Sequence, residues 1–145
     1  MNQNLKALLE FEEGKEQKPY KCKTGHWTIG IGHKIKASDV ETWNHLGGMT
    51  DKHISDTLDQ DIGDATKAAK KYIWFDRMDE ARQAVIISMI FQMGAIGFAK
   101  FEKTIKLLSK GQYEAAADQM EMSLWAKQTP NRAKRHAEQM RTGEW

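Results

Sequence analysis

The feature that most constrains this chain is where its β signal lies. Between Pro19 and Gly32, aromatic and β-branched residues alternate with glycine: Tyr20, Gly25, Trp27, Thr28, Ile29, Gly30, Ile31, Gly32. That stretch reads as short strands joined by tight turns, and the rest of the chain carries helical spacing instead. Leu5, Leu8 and Leu9, with Phe11 after them, suit a short amphipathic helix ending near Gly14. Thr50 and Asp51 open a long helix on which Ile54, Leu58, Asp61, Ile62 and Ala65 share a face. Lys67, Lys70 and Lys71 close it with positive charge, where the helix dipole favours it. Asp79 caps a strongly apolar helix, Glu80 to Met93, ended by Gly94 and suited to the centre of a bundle. Shorter helices are expected at Glu102 to Ser109, Tyr113 to Met120 and around Trp125. Thr129 and Pro130 read as the cap and first-turn proline of a last helix reaching about Met140.

The expected fold is α+β and mostly α: a small β-sheet lobe joined by a long helix to a larger helical lobe. One domain is expected over 1–145. The β lobe falls at about 14–49, the connecting helix at about 50–71, and the helical lobe at 1–13 plus 72–145.

A single cysteine, Cys22, excludes an internal disulfide and leaves a small core residue or a working thiol. The formal net charge of +2 argues against a nucleic-acid partner. Lys127, Arg132, Lys134, Arg135 and Arg141 crowd the C-terminal segment, either as a patch for an anionic envelope surface or, more simply, as a solvated helix face. The longest apolar stretch, Ala84 to Met93, is interrupted by Ser88 and Gln92. It falls short of the roughly 20 residues of a membrane span, so no stable membrane insertion is expected. Met1 to Glu13 carries acids and has no apolar core followed by a cleavage site. No signal peptide is read there, and synthesis in the cytosol is expected.

None of the five histidines forms the paired arrangement that binds zinc on one helix face. Cys22, His26 and His33 could in principle supply three zinc ligands, and Cys22 with His33 a thiol–imidazole pair for a peptidase, but nothing else in the chain supports either. Gly30-Ile31-Gly32 is too short for a dinucleotide fingerprint. What remains is Glu13-Gly14, Tyr20, Cys22, Gly25 and Trp27-Thr28-Ile29-Gly30-Ile31-Gly32-His33. A carboxyl where a helix gives way to strands can lie in a partly apolar cleft, and burial favours the protonated form that a general acid needs. On composition alone, a glutamate before a glycine is usually surface, and a threonine such as Thr28 is an ordinary strand residue.

The run from Glu13 to His33 resembles the signature of the T-even bacteriophage lysozymes, glycoside hydrolase family twenty-four. Eight residues separate Glu13 from Cys22, and five separate Cys22 from Thr28. Two further blocks resemble the family in the same order. One is Phe91-Gln92-Met93-Gly94; the other is Trp125 with Gln128-Thr129-Pro130-Asn131-Arg132-Ala133-Lys134-Arg135, followed by Arg141-Thr142-Gly143. The likeness covers nearly the whole chain and is weakest from Lys34 to Met49.

The resemblance implies a muramidase that cuts the β-1,4 bond between N-acetylmuramic acid and N-acetylglucosamine, with inversion and without cofactor or metal. It implies Glu13 as general acid, Cys22 as the residue handling the attacking water, and Thr28 as a residue holding that water. Phe91 and Gln92 match residues lining the cleft. Arg132 matches a substrate-site arginine that pairs with the catalytic glutamate, and His33 with Asp61 a structural salt bridge. Trp125 reads as core rather than as a sugar platform. Position 22 departs from the commoner form, since many family members carry aspartate there, and an ordinary thiol is far less acidic.

The expected partner is peptidoglycan glycan, with no nucleic acid. The expected role is that of a monomeric phage endolysin, held in the host cytoplasm until a holin releases it to the wall. The alternative is a non-catalytic wall-binding or phage structural module on the same fold, since fold is not function.

Overall fold

Asn2 starts the first helix by satisfying amides that no helical carbonyl can reach. Its side-chain oxygen accepts from the Asn4 N–H at 2.8 Å and the Leu5 N–H at 3.3 Å. In the computed structural model, which describes residues 2–145, this helix (α1) spans Gln3–Glu13. Met1, part of the expected domain, lies outside the described residues. Leu5 and Leu9 are buried, whereas Phe11 is largely exposed, so the buried stripe stops at Leu9.

Among the described residues three strands form one antiparallel sheet in the order β1 (Glu16–Lys21), β2 (Trp27–Gly30), β3 (His33–Lys34). Tyr20 faces Thr28 and Lys21 faces Trp27; on the other side of β2, Thr28 faces Lys34 and Ile29 faces His33. The register is irregular between Glu16 and Tyr20. Pro19 sits there, on an edge strand, where a missing amide hydrogen costs least.

A 3₁₀ turn at Ala37–Asp39 and a short helix, α2 (Val40–His45), follow the sheet. Neither was expected. Neither contains a buried residue, so no apolar periodicity marks them. The long helix, α3, spans Asp51–Ala69, and the Thr50 hydroxyl caps it by accepting from His53 N–H at 3.1 Å. Ile54, Leu58, Ile62, Ala65 and Ala69 form its buried stripe.

The chain divides into two units, Met1–Gly63 and Asp64–Trp145. The second holds a 3₁₀ turn at Phe75–Arg77 and helices α4 (Glu80–Ala99), α5 (Glu102–Ser109), α6 (Tyr113–Glu121), α7 (Leu124–Gln128) and α8 (Pro130–Thr142). The Asp79 carboxylate caps α4, accepting from Arg82 N–H at 3.1 Å. Gly94, with φ +79° and ψ 166°, breaks α4 where the sequence places its end, but the chain then resumes helix as far as Ala99. That backbone conformation is open to glycine and strained for other residues.

At this full length α4 could cross a membrane by length and composition alone, unlike the shorter run read from the sequence. Ala84, Val85, Ile86, Ile87 and Met89 are nearly all inaccessible and α8 packs against the helix, as for the core helix of a bundle. Pro130 takes the first-turn position of α8 as expected, but Thr129 does not cap with its side chain. Its hydroxyl donates instead to the Trp125 carbonyl at 3.1 Å, closing α7.

Candidate active site

The β1–β2 hairpin builds the surroundings of Cys22. The Cys22 N–H donates to the His26 carbonyl at 2.9 Å, and the Gly25 N–H donates back to the Cys22 carbonyl at 2.8 Å. The loop so closed, Lys23-Thr24-Gly25, curls around the half-buried Cys22 side chain. Burial pushes the thiol up. Hydrogen bonds from the Thr24 hydroxyl, the His26 and Thr24 amides and the Thr28 hydroxyl outweigh it, and the thiol falls to about 6. The Thr24 oxygen lies 3.1 Å from Sγ. Thr28 is 2 % exposed, and its Oγ1 also reaches the His26 carbonyl at 3.0 Å. With one hydroxyl proton, Thr28 donates to one of these partners at a time.

Glu13 is the last residue of α1 and is half-buried. Its backbone carbonyl, not its carboxylate, accepts from the Tyr20 hydroxyl at 3.3 Å. Gly32 lies against the carboxylate: a Cβ there would sit 2.8 Å from Glu13 Cγ, Cδ and Oε1, and the Gly32 φ is +63°. The Tyr20 phenol is raised by burial first and then by the charges of Glu13, Cys22 and Glu16. One phenol thus feels both site groups, and Glu13, Tyr20, Cys22 and Thr28 form one neighbourhood in the first unit. The expected salt bridge lies in the same unit, with His33 Nδ1 2.7 Å from Asp61 Oδ2.

In the second unit, Phe91 and Gln92 are half-buried on α4 just before the Gly94 break. Trp125 Nε1 donates to Gln92 Oε1 at 2.9 Å, which fixes the orientation of the amide. Trp125 itself is a core residue, 7 % exposed, between the rings of Phe101 and His136. Arg132 is equally buried rather than part of a solvated basic face. Its Nη2 donates to the Ser88 hydroxyl at 2.9 Å and carbonyl at 3.3 Å. Arg141, another member of that basic cluster, is held by Asp118 at 2.8 Å and Glu121 at 2.6 Å.

Three features escaped the sequence reading. The approach of Gly32 to Glu13 is a backbone property that a glycine in a motif does not disclose. Thr24 lies in a turn and His26 just after it, where polar residues are ordinary. The buried Ser88 Oγ···His136 Nε2 contact, 2.7 Å long, joins residues 48 apart, although Ser88 in an otherwise apolar run was a visible signal.

A family model described as phage lysozyme matches residues 10–139. The chain is 31% identical over 164 residues to a protein of Dictyostelium discoideum named probable T4-type lysozyme 1, across 99% of this chain and 96% of that one. It is 27% identical over 127 residues to the endolysin of Acyrthosiphon pisum secondary endosymbiont phage 1, across 86% and 79%. It is 28% identical over 155 residues to the pre-baseplate central spike protein of Enterobacteria phage T4, across 92% of this chain but 27% of that protein. The chain belongs to the phage lysozyme family and is a glycoside hydrolase of the lysozyme type.

Proposed function

We propose that this enzyme hydrolyses the β-1,4 bond between N-acetylmuramic acid and N-acetylglucosamine in peptidoglycan, with inversion at the anomeric carbon. Glu13 gives its proton to the glycosidic oxygen as that oxygen's bond to the anomeric carbon breaks. Water, held by Thr28, adds to the carbon from the opposite face and passes its proton to the Cys22 thiolate. Phe91, Gln92 and Arg132 bind the glycan. The chemistry calls for no metal or cofactor, since an acid and a base suffice.

The observation that carries this reading is the ring of donors around Cys22. An ordinary thiol is only a few per cent ionised at neutral pH and makes a poor resident base. With its pKa lowered to about 6, Cys22 is mostly thiolate at pH 7. The group in the base position is then charged before substrate arrives.

In the infected cell we assign the protein the role of an endolysin, as one relative is named. It acts as a monomer and waits in the host cytoplasm until a holin admits it to the wall. Digestion of purified peptidoglycan tests the enzymology. New reducing ends should appear at muramic acid, and proton NMR of a fresh digest should show the α anomer before mutarotation. A β anomer first would refute inversion. A non-catalytic wall-binding or phage structural module would bind the wall and release no reducing ends.

A further inference from the structure

Two side chains of the Cys22 loop have no part in the reaction above. Thr24 Oγ1 lies 3.1 Å from Cys22 Sγ on one side and 2.9 Å from His26 Nδ1 on the other. The hydroxyl therefore bridges thiol and imidazole, and it can do so in both protonation states, because it donates one proton and accepts two. The hairpin fixes this spacing. Closing the loop through Cys22 N–H to His26 C=O brings residues 22, 24 and 26 together on a rigid backbone.

We propose that Thr24 and His26 form a proton relay that discharges Cys22 after each turnover. This rests on the reading of Cys22 as the water-handling group. When attacking water has left its proton on sulfur, the S–H donates to Thr24 Oγ1 while the Thr24 O–H donates to His26 Nδ1. Transfer along both bonds leaves a thiolate, a neutral hydroxyl now donating to that thiolate, and an imidazolium. The imidazolium, on an exposed residue, loses its Nε2 proton to solvent, and exchange of the remaining Nδ1 proton for one on Nε2 through water returns the ring to its starting tautomer. One proton leaves, and no bond other than these O–H, N–H and S–H bonds changes. Thr24 and His26 are positioning residues, since they act through Cys22 and need not touch the sugar.

The electrostatic setting makes such a device useful. Glu13, Glu16 and the thiolate all raise the neighbouring Tyr20 phenol, so the charged groups gathered on this side of Cys22 are anionic. Of the lysines flanking it in sequence, Lys23 sits in the exposed loop, and Lys21 holds its ammonium 5.3 Å over the Trp27 ring. Hydrogen bonds rather than an ion pair hold the thiolate, and the Thr24 hydroxyl is first among them.

The test reads the thiol directly and does not depend on hydrolysis. The rate of Cys22 alkylation by iodoacetamide is followed from pH 4.5 to 9.5 in the wild type, Thr24→Val, Thr24→Ser and His26→Phe. The wild-type curve should turn near 6. Thr24→Val should move the turn up by at least about one unit, so alkylation at pH 6 slows about fivefold. His26→Phe should move it in the same direction, and Thr24→Ser should restore it. The ascending limb of the pH–rate profile for lysis should move in parallel. Unmoved alkylation curves in Thr24→Val and His26→Phe, in an enzyme that still needs Cys22, overturn the relay alone. Full activity in Cys22→Ala overturns the catalytic reading of Cys22 and, with it, the relay's part in turnover.

Discussion

Lowering the pH from 7.5 to 4.5 presses a proton on His136, and its surroundings refuse it. The ring is 1 % exposed and packs against Trp125, with centroids 6.0 Å apart. Arg132 can only donate to Ser88 Oγ, so the one proton on that hydroxyl points to His136 Nε2, which accepts it. A protonated Nε2 would have to compete with Arg132 for the same oxygen. Burial first, and then the charges of Arg132 and Arg135, push the imidazole down to about 3. The unfolded chain binds a proton there below about 6.5 while the native state does not, so acid favours unfolding.

The stability carried by neutral His136 is fully present above its unfolded pKa. It is lost as pH falls, and the loss levels off near the folded value. Two units of that window lie above pH 4.5, which at 1.36 kcal/mol per unit is roughly 3 kcal/mol of a total near 5–15. His136→Gln retains a group that can accept from Ser88 but does not titrate. Urea unfolding followed by circular dichroism at pH 7.5 and 4.5 gives the free-energy gap between the two proteins. That gap should shift by roughly 3 kcal/mol in favour of His136→Gln at the lower pH, because the carboxylates common to both cancel. A gap that is the same at both pH values would mean the ring accepts its proton in the native state, and the donor order drawn here is wrong.

Glu13→Gln should lose about 10²–10⁴-fold in lysis rate while staying folded, because it keeps the shape of the side chain and the backbone carbonyl that Tyr20 bonds; turbidity clearing at the wild-type rate would remove Glu13 as the acid. Gly32→Ala should cost about 1–2 kcal/mol for its positive φ and, by displacing the Glu13 carboxylate, about 10²-fold in kcat, whereas a stability loss without a rate loss would show that the close approach has no catalytic use. Cys22→Asp should lyse cells at neutral pH and Cys22→Ala should be severely impaired, with equal rates in the two counting against any role for charge at that position. For His33, the Asp61 hydrogen bond raises the pKa against burial, so the pair stabilises most below the unfolded value and less as pH climbs through the folded one. Both side chains are partly solvated, so a double-mutant cycle should return only about 1 kcal/mol at pH 5.5 and less at pH 8.5.

The parts of the fold legible in the sequence are those decided within a few residues. Thr50 and Asp79 cap α3 and α4 through amides three residues on, and Gly94 interrupts α4 by its own backbone. Where two neighbouring elements compete for one side chain, the local rule fails. Thr129 stands where a cap for α8 belongs, yet its hydroxyl serves α7; Pro130 brings no amide hydrogen, so α8 begins with one fewer donor to satisfy. Arg132 shows the same limit in the core. Its charge pattern reads as surface, but the α4–α8 packing buries it and brings Ser88 to its guanidinium. The His33–Asp61 bridge spans 28 residues and was legible only through family resemblance.

Position 22 shows why the residue least expected in the motif can still belong to it. The β1–β2 hairpin directs two amides and two hydroxyls at the side chain of residue 22. Such a ring of donors favours a negative charge without specifying which atom carries it. A carboxylate would be ionised there already, and the ring would do little more than orient it. A thiol is neutral by default at pH 7, so the same donors now decide whether a base exists at all. The side chain differs from the family's common aspartate, but the demand on it, an anion fixed by the hairpin, is built into the backbone of Lys23-Thr24-Gly25-His26. Exchanging thiol for carboxylate should therefore change how far the enzyme depends on Thr24 more than whether it works.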